Sequence, residues 1–126
     1  MSIVMIVEDD ARIADLFKRA FEKEGFGVIL KASAEEAMLP LNKGWRPQLI
    51  VIDQSLPGGN ATGLDLLKTI KSKSSTADIP VILYDPTLNS DTAKRALELG
   101  ANHIMRRPVN PKDLVTAAKE LLSQSE

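Results

Sequence analysis

The chain has no cysteine in its 126 residues. That excludes disulfides and thiolate metal sites, and it fits a reducing compartment. Histidine occurs once, as His103. One imidazole without a second nitrogen or sulfur donor makes a poor transition-metal site, so His103 reads as a surface or strand-edge residue. An excess of either charge is also missing. The balance of 16 Lys+Arg against 17 Asp+Glu leaves a formal net charge of -1. Nothing in that favours nucleic acid or an anionic membrane as a default partner. No apolar stretch approaches membrane-spanning length. The N-terminal segment has neither a basic region nor small cleavage-type residues, so no signal peptide is expected and a cytoplasmic location is the natural reading. There is no internal repeat, low-complexity tail or linker. The length suits a single domain, residues 1–126, around one core.

Two apolar runs each stop at acid. Ile3-Val4-Met5-Ile6-Val7 meets Glu8-Asp9-Asp10, and Leu49-Ile50-Val51-Ile52 meets Asp53. Both runs are short, β-branched and continuous, the pattern of buried parallel strands. In an open parallel sheet the working residues gather at the carboxyl ends of strands. Glu8-Asp9 alone reads better as a helix N-cap favoured by the macrodipole, and Asp53 alone as a turn residue. Together, on neighbouring strands, the three would crowd into one spot. Crowded carboxylates repel unless a hard cation neutralises them, and oxygen donors of this kind suit Mg²⁺.

The rest of the chain alternates. Ala11 to Glu24 carries Ile13, Leu16, Phe17, Ala20 and Phe21 on one helical face, and Gly25 stops it. Phe26 to Leu30 is a second strand. Ser33 to Glu36 reads as a capping box opening a second helix, with Pro40 inside or ending it. After Asp53, Pro57-Gly58-Gly59-Asn60 is a turn signal. Gly63 to Lys73 reads as a helix with Leu64, Leu67 and Ile70 inward. Val81 to Tyr84 is a fourth strand, and Asn89, Ser90 or Asp91 caps a fourth helix ending at Gly100. Ile104-Met105 is a fifth strand. Asn110-Pro111 opens a last helix with Leu114, Val115, Ala118, Leu121 and Leu122 inward. Trp45, before Arg46-Pro47, reads as an apolar plug. Strands alternating with helices predict an α/β fold, a parallel sheet covered on both faces.

These landmarks resemble the receiver domain of two-component response regulators, the CheY-like fold. The resemblance rests on Val7-Glu8-Asp9-Asp10, on Val51-Ile52-Asp53 with Leu56-Pro57-Gly58, and on Ile79-Pro80-Val81-Ile82. Gly100-Ala101-Asn102 and Arg107-Pro108 complete it. It implies a three-layer, doubly wound, flavodoxin-like sheet of five strands in order 2-1-3-4-5. It implies that Asp53 accepts a phosphoryl group from a histidine kinase or histidine phosphotransfer protein. Glu8, Asp9, Asp53 and the backbone carbonyl of Ser55 would hold Mg²⁺, and Asp10 would be a solvent-facing helix cap. The Arg107–Pro108 peptide would be cis. Output would pass to a downstream protein, or a second copy in a homodimer, through the face of helix four, strand five and helix five. Lys94, Arg95, Arg106 and Lys112 form a basic rim there. On this reading the chain is a signalling module and not an enzyme.

Three positions depart from that family pattern. A small hydroxyl residue normally ends strand four, and here Asp85 stands there. A lysine normally ends strand five, and here it is Arg107. Three residues earlier an aromatic is replaced by Ile104. An ionised Asp85 donates no hydrogen bond to a phosphoryl oxygen and repels an incoming dianion. At ~4 Å and an effective dielectric of ~20, one like-charge pair costs about 4 kcal/mol. Arg107 suits a carboxylate as well as a phosphate, so an Arg107–Asp85 ion pair is expected. Two readings stay open: phosphorylation of Asp53 with a modified relay, or a pseudo-receiver that binds its partner in a fixed conformation. An aspartyl phosphohydrolase would need a second aspartate two residues after Asp53, where Ser55 stands. A flavodoxin-like nucleotide binder would need a phosphate loop where Glu8 and Asp9 stand.

Overall fold

The computed structural model describes residues 2–56, 62–85, 90–106 and 108–124. Strands and helices alternate along it. The elements are β1 Ile3–Val7, α1 Ala11–Lys23, β2 Gly27–Lys31, α2 Ala34–Asn42, β3 Leu49–Asp53, α3 Gly63–Ser72, β4 Val81–Asp85, α4 Ser90–Glu98, β5 His103–Arg106 and α5 Pro111–Gln124. The strands pair in parallel in the order β2-β1-β3-β4-β5. This is the doubly wound flavodoxin-like sheet expected from the sequence.

Each face of the sheet carries its own apolar cluster, and the two-residue period of a strand decides which residue joins which. Met5, Val7, Ile50, Ile52, Val81 and Leu83 pack with Ala37, Leu41, Leu67 and Ile70 of α2 and α3. Val4, Ile6, Leu49, Val51, Ile82 and Tyr84 pack with Phe17, Phe21, Leu114 and Ala118 of α1 and α5. With both faces covered, every residue of β3 and β4 is buried.

Several local expectations shift. The inner line of α1 is Ala14, Phe17 and Phe21, one step off Leu16, which is 56% exposed. In α3, Leu66 is buried beside Leu67 and Ile70, while Leu64 is only partly covered. β2 starts one residue late because Gly27 enters the ladder opposite Ile3, while Phe26 turns its ring edge-on to Phe21. Pro40 lies inside α2, near its C-terminal end. The Ser33 hydroxyl accepts from the Glu36 amide, but Glu36 reaches back to the Ala32 amide and not to Ser33. The reciprocal capping box of this fold is Thr62 with Asp65, at the start of α3.

The rim at the amino end of β4 is held by one ammonium. Lys71 Nζ donates to the carbonyls of Ala77 and Ile79 and to Asn102 Oδ1, which also accepts from the Val81 amide. Trp45 is partly buried against the α2–α3 cluster, as expected, and His103 is exposed. Helix α4 is held lightly, with Ala96 as its one buried side chain. Among the described residues no helix is long and apolar enough to cross a membrane.

Candidate functional site

Register places the acids. Val7 pairs with Ile52, so Glu8 follows alongside Asp53, and Asp53 itself pairs with Tyr84. Alternation then sets direction. Glu8 continues Val4 and Ile6, Asp53 continues Leu49 and Val51, and Tyr84 continues Ile82. All three therefore face the α1–α5 side at the carboxyl edge of the sheet. Asp9 follows in the turn into α1 and is exposed. One carboxylate oxygen from each of Glu8, Asp9 and Asp53 lies within 4.8 Å of the others. The sequence predicted this convergence.

Each acid is held. Glu8 is 3% exposed and Asp53 1%. Tyr84 donates its hydroxyl to Glu8 Oε1 at 2.6 Å, and the Asp10 amide donates to Glu8 Oε2 at 2.9 Å. Asp53 Oδ1 accepts from the Ser55 amide at 3.0 Å and from the Ser55 hydroxyl at 2.9 Å. Asp10 caps α1, accepting from the amides of Arg12 and Ile13. Burial pushes the Glu8 carboxyl up from 4.5 to about 7; Tyr84 and the Asp10 amide pull it back down, and the neighbouring Asp53 charge adds to the rise. A buried glutamate that resists ionisation, meeting two further carboxylates, makes a donor set suited to a hard divalent cation, which supplies the missing positive charge.

Asp85 ends β4 and is 6% exposed. Its alternation follows Val81 and Leu83, so it points to the α2–α3 side, away from Tyr84. Its register partner on β5 is Arg106. Arg107 lies outside the described residues, and with it the expected Arg107–Asp85 pair and the peptide to Pro108. The turn at 57–60 and the candidate cap Asn89 lie outside as well. Ile104 is partly buried against the α2–α3 cluster. Lys94, Arg95, Arg106 and Lys112 are all exposed.

Two features of this site escaped sequence reading. The sequence reading takes Tyr84 only as the last residue of the fourth strand, although its place two residues after Ile82 assigns it to the face that carries Asp53. The Ser55 amide and hydroxyl grip Asp53, whereas the resemblance implied a role only for the Ser55 carbonyl.

Comparison with known proteins agrees with this geometry. The family model described as the response regulator receiver domain matches residues 4–119. The phosphate regulon transcriptional regulatory protein PhoB of Escherichia coli K12 is 34% identical over 119 residues, covering 94% of this chain and 51% of PhoB. The chain thus spans about half the length of the curated relatives it matches. A CheY-like receiver domain protein from Methanospirillum hungatei superposes with a TM-score of 0.89 at 27% identity, covering 98% of this chain and 95% of that one. The signal receiver domain of a histidine kinase from Syntrophus aciditrophicus gives 0.88 at 29% identity, covering 98% and 92%.

Proposed function

This chain belongs to the response regulator receiver domain family, and we propose that it accepts a phosphoryl group on Asp53 and passes the signal on by protein contact. The observation that carries this reading is the meeting of Glu8, Asp9 and Asp53 within 4.8 Å at the carboxyl edge of the sheet. Members of the family bind Mg²⁺ at such an acidic pocket. Here Glu8, Asp9, Asp53 and the Ser55 carbonyl are the residues that would hold it. When bound, the cation neutralises charge on the transferring group. The carboxylate of Asp53 is the nucleophile. A carboxylate oxygen bonds to phosphorus, and the bond from phosphorus to the donor's nitrogen or oxygen breaks. The leaving imidazole or acetate keeps the electron pair. Ser55 fixes Oδ1 of Asp53 with two hydrogen bonds, so the attacking group does not rotate freely.

The donor is a histidine kinase or a histidine phosphotransfer protein. The output face is α4, β5 and α5, where Lys94, Arg95, Arg106 and Lys112 stand exposed. A downstream protein or a second copy of this chain would dock there, in the cytoplasm. The test is intact-mass analysis after incubation with acetyl phosphate and Mg²⁺. One phosphoryl adduct is expected. No adduct would leave the pseudo-receiver reading, an interaction module that works without phosphorylation.

The raised Glu8 carboxyl gives the pocket a pH signature. Folding favours protonated Glu8, so its contribution to stability is full below about 4.5 and is lost as pH rises through about 7. A cation binds the ionised form and offsets that loss. Mg²⁺ is therefore expected to raise the melting temperature more at roughly pH 8 than at roughly pH 5.5. Equal Mg²⁺ effects at both values in thermal melts would contradict this.

Asp85 tunes the reaction. Asp85→Thr removes a buried negative charge one residue beyond the register partner of Asp53 and restores a hydroxyl. Acetyl phosphate should then load Asp53 at least about tenfold faster, equivalent to about 1.4 kcal/mol of barrier. Stopped time points by mass spectrometry give the rate, and an unchanged rate would show that Asp85 does not act on the transferring group.

A further inference from the structure

Tyr84 links the core to the acid pocket in a way that composition alone gives no reason to expect. It sits on β4, Glu8 follows β1, and β3 with Asp53 runs between them. Neighbouring strands lie about 4.8 Å apart, so a side chain that joins β4 to β1 must cross about two such spacings. A tyrosine has that reach. Its ring is 0% exposed and meets Phe17 of α1 edge-on, with centroids 5.5 Å apart and planes at 89°. Its hydroxyl donates to Glu8 Oε1 at 2.6 Å, across the strand that ends in Asp53. A hydroxyl this deeply buried needs a polar partner, and a carboxylate acceptor makes that bond short and strong.

The other Glu8 oxygen accepts from the Asp10 amide, which is fixed because Asp10 caps α1. Each oxygen of Glu8 thus has its own donor, one from the sheet and one from the helix start. This matters because glutamate has one more rotatable bond than aspartate. An untethered glutamate loses more side-chain freedom on binding a cation, and positioned donors remove that loss beforehand.

We propose that Tyr84 is a positioning residue for the acid pocket: its hydroxyl, reaching across the strand that ends in Asp53, holds Glu8 in the orientation that receives a divalent cation. The inference rests on the acid-pocket reading above and adds to it a residue on the strand that also carries Asp85. Groups that orient a metal ligand without touching the metal commonly govern affinity, and losing one costs roughly tenfold or more. The geometry also ties the pocket to α1 through the Phe17 contact.

The test is a Mg²⁺ titration of the whole chain followed by amide ¹H–¹⁵N spectra, reading Asp9, Asp10 and Ser55. Four proteins are compared: wild type, Tyr84→Phe, Glu8→Asp and the double variant. Tyr84→Phe keeps the ring against Phe17 and deletes only the hydroxyl. Its Mg²⁺ dissociation constant should rise about tenfold. In the Glu8→Asp background the same substitution should have no effect, because the shorter carboxylate does not reach the hydroxyl. Urea unfolding without Mg²⁺ separates a purely structural role. A Tyr84→Phe variant that is less stable yet binds Mg²⁺ as wild type does would overturn the proposal, as would equal weakening in both backgrounds. A wild-type chain with no Mg²⁺ response would instead overturn the acid-pocket reading, and this inference with it.

Discussion

Asp53→Asn is expected to abolish the phosphoryl adduct completely while leaving the fold intact. The amide is no nucleophile toward phosphorus, and no other carboxylate of the pocket occupies its place at the end of the central strand. The same substitution has a second effect of opposite sign. Asp53 raises the Glu8 carboxyl by its charge. Removing that charge relieves the crowding, so the variant without Mg²⁺ should be more stable than wild type, by on the order of 1 kcal/mol. Its stabilisation by Mg²⁺ should shrink in parallel. Intact mass after acetyl phosphate reads the first effect, and urea unfolding with and without Mg²⁺ reads the second. An adduct that persists in Asp53→Asn would place the phosphoacceptor elsewhere.

Gly63→Ala is expected to be strongly destabilising. A Cβ at Gly63 would stand 2.5 Å from the Asp53 carbonyl oxygen and 2.5 Å from Gln54 Cα. Both obstacles are backbone, so no side chain can swing aside. Helix propensity alone would make alanine better than glycine here by about 1 kcal/mol. Overpacking against a fixed strand end costs about 1–3 kcal/mol, and a forced backbone shift lies at the upper end of that range. The clash should win, giving a net loss of roughly 2 kcal/mol in urea unfolding. It should also slow loading of Asp53, because the strand end that must move is the one bearing the carboxylate. A neutral or stabilising Gly63→Ala would mean that the α3 start yields freely, and that the site is less rigid than its contacts suggest.

The fold was legible because β1, β3 and β4 advertise themselves. Runs such as Leu49 to Ile52 are too short for helices and too uniformly apolar for half-exposed strands, so a sheet covered on both faces was the natural reading. The acid group was legible for the same reason, since Glu8, Asp9 and Asp53 stand where such strands end. Helix faces were read less well. Leu16 looked inward by hydrophobicity alone, yet the stripe is centred on Phe17 and Phe21, and one residue is 100° of helix. Leu66 was missed for a similar reason: in a run of neighbouring leucines, periodicity does not say which meet the sheet. Tyr84 was missed because its meaning is not local. A tyrosine 76 positions from Glu8 acquires that partner only through strand order and the two-residue alternation acting together. The Thr62 and Asp65 cap has the spacing of a capping box and was open to the same reading that was given to Ser33 and Glu36.

One feature of the fold has a mechanical meaning. Helix α4 fully buries one side chain, the methyl of Ala96, while α1, α3 and α5 each bury three or more. A single methyl anchors with about 1 kcal/mol, scarcely more than thermal agitation provides. This helix is therefore the most lightly buried panel of the frame. Lys94 and Arg95 ride on it, so the positive charge shown to the outside is carried by the part of the molecule with the least apolar ballast.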